Sequence, residues 1–219
     1  MKKYFEILKM SPLFNGISAD DLNNMLSCLN AKVINFNKGQ MVFEEGTPAH
    51  YVGILLSGEI QIIRDDYYGN RSIMAHIEAG NLFGEVFACS NIETYPVGAL
   101  ATQNSQVMLL DCKRIITSCS NACHFHSKLI NNLLSIVARK SMLLNQKIEL
   151  LSKRTTREKI LSYLLSEAKR HNNNEFTIPF DRQGLADYLE VDRSAMASEI
   201  SKLVKEGIIE TKKSWFKII

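Results

Sequence analysis

The sequence predicts an α+β chain: a β-rich first part closed as a sandwich or barrel, a long helix, and a small helical head ending in a hairpin. Three observations carry this. Between Val33 and Leu110 short β-type segments alternate with turns. From Gly46 the turn glycines Gly46, Gly58, Gly69 and Gly80 are 12, 11 and 11 residues apart, a spacing that suits a sandwich or barrel and not alternating β/α units. From Ile130 to Leu151 apolar residues recur in heptad steps. Arg182–Gly207 scans as two short amphipathic helices around a tight turn.

In chain order, residues 1–30 read as helical. Phe5, Leu8, Phe14, Leu22, Met25, Leu26 and Leu29 can line apolar faces, and Ser18 or Asp20 can cap. Strands are expected at KVINF, MVFEE, VGILLS, EIQIIR, SIMAHI, GALATQ and VMLLD. Residues 124–152 form a long helix. Its seam, Ile130, Leu134, Val137, Ser141, Leu144, Ile148 and Leu151, steps by 4, 3, 4, 3, 4 and 3, which favours a two-helix contact over packing within one domain. Ser152–Thr156 reads as a hinge. A further helix, Arg157–His171, and the short strand Phe176–Pro179 precede the two-helix motif; Ile208–Thr211 and Trp215–Ile218 then suggest a hairpin. In the motif, Leu185, Ala186, Leu189, Val191, Met196, Ile200 and Leu203 supply the apolar face. The turn is Glu190-Val191-Asp192, and Asp192 can cap the second helix. That is helix-turn-helix spacing, in which the second helix enters a DNA major groove. A non-glycine at Glu190 with positive φ would cost about 1 kcal/mol.

Bulk properties narrow the classes. The chain has 219 residues with 46% hydrophobic content, enough for one large or two smaller cores. No long uncharged apolar run or signal-peptide stretch is present, so neither a membrane span nor export is expected. Five cysteines without framework spacing suit a reducing cytoplasm. Residues 1–150 carry 13 basic and 13 acidic side chains, and residues 151–219 carry 13 and 10, so the whole net charge of +3 lies in the C-terminal part. No nucleophile–base pair, phosphate loop or paired carboxylates at motif spacing appears, and an enzyme is not expected.

The segments SPLFNGIS, KGQMVFEEG, YVGILLSGEIQI, EAGNLFGE and DRQGLADYLEVDRSAMASEISKLVKEGII, taken together, resemble the cyclic-AMP receptor protein/fumarate-nitrate regulator (CRP/FNR) superfamily of bacterial transcription factors. The resemblance covers almost the whole chain. It implies a double-stranded β-helix (jelly-roll) sensory domain of the cyclic-nucleotide-binding type over 1–123, a dimerisation helix over 124–152 and a winged helix-turn-helix over 153–219. It further implies a cytoplasmic homodimer on a two-fold symmetric double-stranded DNA operator, with RNA polymerase a possible partner.

On that reading Arg193 opens the recognition helix, where a guanidinium can bond guanine O6 and N7, worth about 1–3 kcal/mol of discrimination. Ser194 and Ser198 stand where the best-known members carry Glu and Arg, which puts the familiar operator sequence in doubt and gives DNA shape a larger part. Gln183 belongs to the same DNA-facing set. Arg182, Lys202, Lys205, Lys212 and Lys213 are assigned to phosphates, which position without reading.

Gly84-Glu85-Val86-Phe87 resembles the start of the family's phosphate-binding cassette, with Glu85 at the ribose-binding position. The Arg and small hydroxyl residue that hold a cyclic phosphate would fall on Tyr95 and Pro96, and no Lys or Arg occurs from Ser72 to Cys112. A buried phosphate would lack charge-assisted bonds there. Cyclic AMP is therefore not favoured. Phe87, Ala88, Tyr95, Val97 and Leu100 make a neutral, apolar pocket, so an uncharged or weakly charged effector is expected at Gly84, Glu85, Val86, Phe87, Tyr95 and Pro96, or a roll with no ligand. An iron–sulfur cluster is not favoured either, because residues 1–27 contain no Cys. Cys119, Cys123, His124 and His126 form a possible metal, haem or thiol site, against the plainer reading of buried Cys and surface His. His76 is a further, isolated haem candidate.

Overall fold

The computed structural model describes residues 4–90, 92–117 and 124–219. Two compact units emerge. The first comprises the chain up to Arg64 and Met74–Ser141; the second comprises Asp65–Ile73 and Met142–Ile219.

The first unit opens with α1 (Phe5–Met10), a 3-10 turn (Pro12–Phe14) and α2 (Ala19–Cys28). Ser18 caps α2 by accepting from the Asp21 amide at 3.2 Å. Leu22, Met25 and Leu26 then face inward. Eight strands follow: β1 (Lys32–Phe36), β2 (Met41–Phe43), β3 (Tyr51–Ser57), β4 (Ile60–Asp65), β5 (Arg71–Ile77), β6 (Leu82–Phe83), β7 (Gly98–Ala101) and β8 (Ser105–Asp111). They build two four-stranded sheets, ordered β1-β8-β3-β6 and β2-β7-β4-β5. All seven expected strands are present. The sequence reading missed β6, which has only two residues, and the short helices α3 (Glu85–Ala88) and α4 (Cys112–Ile116). Gly58 shows why glycine holds a corner: its φ is +90°, and a Cβ would lie 2.3 Å from Ser105 Oγ.

Among the described residues, the roll shows two apolar clusters. One, inside it, joins Phe43, Leu55, Phe83, Tyr95 and Val107. The other packs α1, α2 and α4 against β3 and β8 and receives Leu129, Leu133 and Ile136 of α5 (His124–Leu151). This refines the seam. The α5 face buried on its own roll is Leu129, Leu133 and Ile136, while Leu134, Leu144 and Ile148 of the expected seam are exposed and Ile130, Val137 and Leu151 half-buried.

The second unit continues with α6 (Thr156–His171), β9 (Glu175–Thr177), α7 (Arg182–Leu189), α8 (Arg193–Lys205) and the hairpin β10 (Ile209–Lys212) and β11 (Trp215–Ile218). A capping box starts α6: Thr155 accepts from the Glu158 amide and the Glu158 side chain accepts from the Thr155 amide. The three strands form a sheet in the order β10-β11-β9. Of the expected apolar face, Leu185, Ala186, Leu189, Met196, Ile200 and Leu203 are buried in the core of the helix-turn-helix, while Val191 in the turn is half-buried. Among the described residues, no helix is long and apolar enough to cross a membrane.

Candidate nucleic-acid interface and sensory pocket

The turn between α7 and α8 is made by Glu190 in the left-handed region, at φ 50° and ψ 58°. Asp192 then caps α8, accepting from the Ala195 amide at 2.8 Å. Its carboxyl is held below the ordinary range, first by the Ser194 hydroxyl and then by backbone amides. Two lysines from other helices secure the end of α7. Lys159 of α6 donates to the carbonyls of Leu189 (3.2 Å) and Glu190 (3.3 Å). Lys147 of α5 donates to the Tyr188 carbonyl and lies 3.0 Å from the Tyr188 ring centroid. Burial is the main reason the Lys147 ammonium is pushed down to about 7; Glu190 raises it and Lys159 lowers it.

The DNA-facing residues expected from the sequence are differently occupied. Arg193 is exposed at the first position of α8. The Ser194 hydroxyl donates to Asp192 at 2.5 Å, so it serves the cap. Ser198 borders a groove of about 540 Å³ together with Lys202 and the start of α6 at Thr155, Thr156 and Arg157. Lys202 pairs with Glu199 at 2.5 Å, and Gln183 with Asp187 at 2.7 Å. Lys212 is exposed at the end of β10, and Lys213 takes a φ of 55° in the hairpin turn. Arg182 faces inward: it donates to Thr211 Oγ1 at 2.9 Å and lies over the Phe216 ring at 4.9 Å. Burial lowers its pKa. The sequence reading missed the neighbourhood of Thr155–Arg157 and Ser198, because only folding brings α6 beside α8.

In the roll, Gly84 (φ +80°) precedes α3, and a Cβ there would lie 2.8 Å from Phe43 Cε2. Glu85 is fully buried. One carboxylate oxygen lies 2.7 Å from Lys140 Nζ of α5, and Lys140 also donates to the Leu82 carbonyl at 2.6 Å. Val86 is exposed and Phe87 half-buried. Tyr95 is 3% exposed. Its ring stacks on Phe43 at 4.5 Å, with Phe87 edge-on at 6.5 Å, and its hydroxyl donates to the Tyr51 carbonyl at 2.5 Å. Burial pushes the phenol up to about 12. Pro96 points outward. The structure thus joins Phe87 to Tyr95 and Glu85 to Lys140, and leaves Val86 and Pro96 at the surface. These residues do not fit a cyclic phosphate. Its expected cation position is a packed aromatic ring, and the cation that α5 brings is spent on Glu85.

Cys119 and Cys123 lie outside the described residues. His126 is buried, and its Nε2 donates to the Arg114 carbonyl at 3.2 Å. His76 Nδ1 lies 3.8 Å from Glu59 Oε1. Cys89 and Cys112, for which the cysteine spacing indicates no pairing, form a disulfide across 23 residues. Cys28 is a free, exposed thiol.

Comparison with known proteins agrees with this architecture. Residues 33–120 match the cyclic nucleotide-binding domain, and residues 158–219 the Crp-like helix-turn-helix domain. The cyclic AMP receptor protein of Thermus thermophilus is 22% identical over 205 residues, covering 92% of this chain and 89% of that protein. The structure of the c-di-GMP responsive global regulator CLP of Xanthomonas campestris has a TM-score of 0.75 at 14% identity, over 92% of this chain and 99% of that one. FixK2 of Bradyrhizobium japonicum has a TM-score of 0.69 at 20% identity, over 86% and 92%. With a sensory-type roll, a long helix and a helix-turn-helix head in this order, the chain belongs to the CRP/FNR superfamily of DNA-binding transcription regulators.

Proposed function

We propose that two copies of this chain pair through α5 and present two winged heads to a double-stranded operator, each α8 entering a major groove about one helical turn, roughly 34 Å, from the other. The observation that carries this is α8: an Asp192-capped helix with Arg193 exposed at its first position, where base edges are met. Arg193 reads bases. Ser194 and Ser198 contribute weak contacts beside it, and Gln183, Lys202 and Lys212 approach phosphates. Arg182 acts by holding the wing hairpin through Thr211. Pairing is supported by the exposed Leu134, Leu144 and Ile148 along α5. Work is divided between a sensory part at 1–123, a dimerisation helix at 124–152 and a head at 153–219. The setting is the cytoplasm, and RNA polymerase is the partner of the DNA-bound dimer.

A small effector acting on the roll is supported by the Glu85–Lys140 ion pair, since anything that draws Glu85 away acts directly on α5. The second reading, a roll that serves as scaffold, is favoured by the aromatic filling around Tyr95. Thermal shifts against a panel of uncharged metabolites separate the two: a saturable upward shift supports the effector, and none across the panel supports the scaffold. The DNA reading is tested by selecting duplexes from a random pool and titrating the selected site. Arg193→Ala should lower the specific-to-random affinity ratio about tenfold or more while leaving folding and dimerisation intact. An unchanged ratio removes base reading by Arg193.

A further inference from the structure

We propose that Cys89 and Cys112 form a redox-active site whose substrate is a dithiol reductant or its disulfide, and that its state sets the affinity for DNA. The inference rests on the chain being a DNA-binding regulator. Cys89 is the residue that ends α3, the helix whose first residue is Glu85. Cys112 is the first residue of α4 and is 1% exposed. The bridge therefore ties the cassette helix to the apolar cluster that receives Leu129, Leu133 and Ile136 of α5. Glu85, at the other end of α3, holds Lys140 of the same α5. One end of the cassette helix is thus tied to α5 by the ion pair, and the other packs against the apolar cluster that α5 shares.

The two sulfurs differ in access, which orders the chemistry. Cys89 is half-buried next to exposed Ser90, while Cys112 is enclosed. A dithiol's thiolate attacks Cys89 Sγ. The Cys89–Cys112 bond breaks, and Cys112 leaves as a thiolate that takes up a proton. The reductant's second thiol then attacks the mixed disulfide, releasing Cys89 as a thiolate that is protonated in turn. Two electrons and two protons pass to the chain, and the dithiol leaves as a disulfide; oxidation is the reverse. In a compartment that keeps most thiols reduced, a closed bridge is the signalling state and not a permanent staple. Closed, it fixes the base of α5 in one packing and pre-organises the paired heads for the operator. Open, it lets α3 and the base of α5 sample alternatives, which weakens binding.

The test uses the full-length protein in buffers of graded reduced-to-oxidised dithiothreitol ratio. Bridge closure is read by maleimide mass shift and peptide mapping, and affinity by fluorescence anisotropy with a labelled duplex selected from a random pool. The expected result is that affinity falls about tenfold as the bridge opens, both transitions sharing one midpoint. Cys89→Ser holds the weaker affinity at every ratio while remaining dimeric with an unchanged far-ultraviolet spectrum. Cys112→Ala serves as the second variant if the first misfolds. A bridge that opens fully while affinity stays within about twofold overturns the switch alone, as does oxidised protein without a Cys89–Cys112 cross-linked peptide. If neither state holds any duplex, the regulator reading is overturned and the switch falls with it.

Discussion

Lys147 shows how one side chain can carry a pH dependence. Its ammonium lies against the Tyr188 ring and carbonyl, and burial lowers its pKa from the ordinary 10.5 to about 7. Below pH 7 both folded and unfolded chains hold the proton, and the full burial cost is borne. Between about 7 and 10.5 the unfolded chain binds more protons than the folded one, so stability rises with pH across that window. Lys147→Met keeps the apolar stem without the charge. It should flatten the rise, and melting temperatures of the two proteins between pH 6.5 and 10 should converge as pH increases. Parallel curves would assign the slope to other groups. Arg182 makes the complementary point about burial. The sequence places a cation beside the recognition helix, but the Thr211 hydroxyl and the Phe216 face draw it inward. Arg182→Ala should therefore lower head stability by about 1–2 kcal/mol, read by denaturant titration, besides any loss of DNA affinity.

Elements were legible where one periodicity ran long enough. The regular spacing of strands and turns and the α7–α8 apolar face each repeat a local rule that packing then satisfies, and the α5 heptads mark a long helix whose seam is exposed or half-buried in the single chain. The two-residue β6 and four-residue α3 are too short to show a period. The Cys89–Cys112 and Glu85–Lys140 contacts join positions far apart in sequence, which only the sheet order and the docking of α5 bring together. The choice of face on α5 was partly readable. Leu129, Leu133 and Ile136 form a second stripe that the roll takes, leaving Leu134, Leu144 and Ile148 outward. Leu144→Asp with Ile148→Asp should convert dimer to monomer in light scattering at micromolar concentration without loss of helix content, because the changes touch no buried position. The α6 capping box is a separate case. Thr155→Ala should cost about 1 kcal/mol, seen as a fall in melting temperature of about 2–4 °C.

For the whole molecule, affinity should depend on two heads acting together and on modest charge. The net excess is +3, all in residues 151–219, and Lys202 is already paired with Glu199. Specific binding should therefore show a shallow salt dependence. Lys212→Ala should reduce the slope of log affinity against log salt by about one per head, measured by anisotropy across a salt series. An unchanged slope would place Lys212 away from phosphate. The family architecture could be read from the sequence because it is distributed over many segments. The fate of the roll interior could not, because it depends on which way a single tyrosine turns.

That tyrosine has a practical consequence. Tyr95 plugs the barrel with a ring clasped by Phe43 and tethered by its hydroxyl to Tyr51. Trimming it to alanine would excavate a dry, aromatic-walled chamber of the kind that accepts benzene-sized guests. A guest restoring the lost packing would turn this regulator into a chemically inducible genetic sensor, programmed by a molecule the cell never makes.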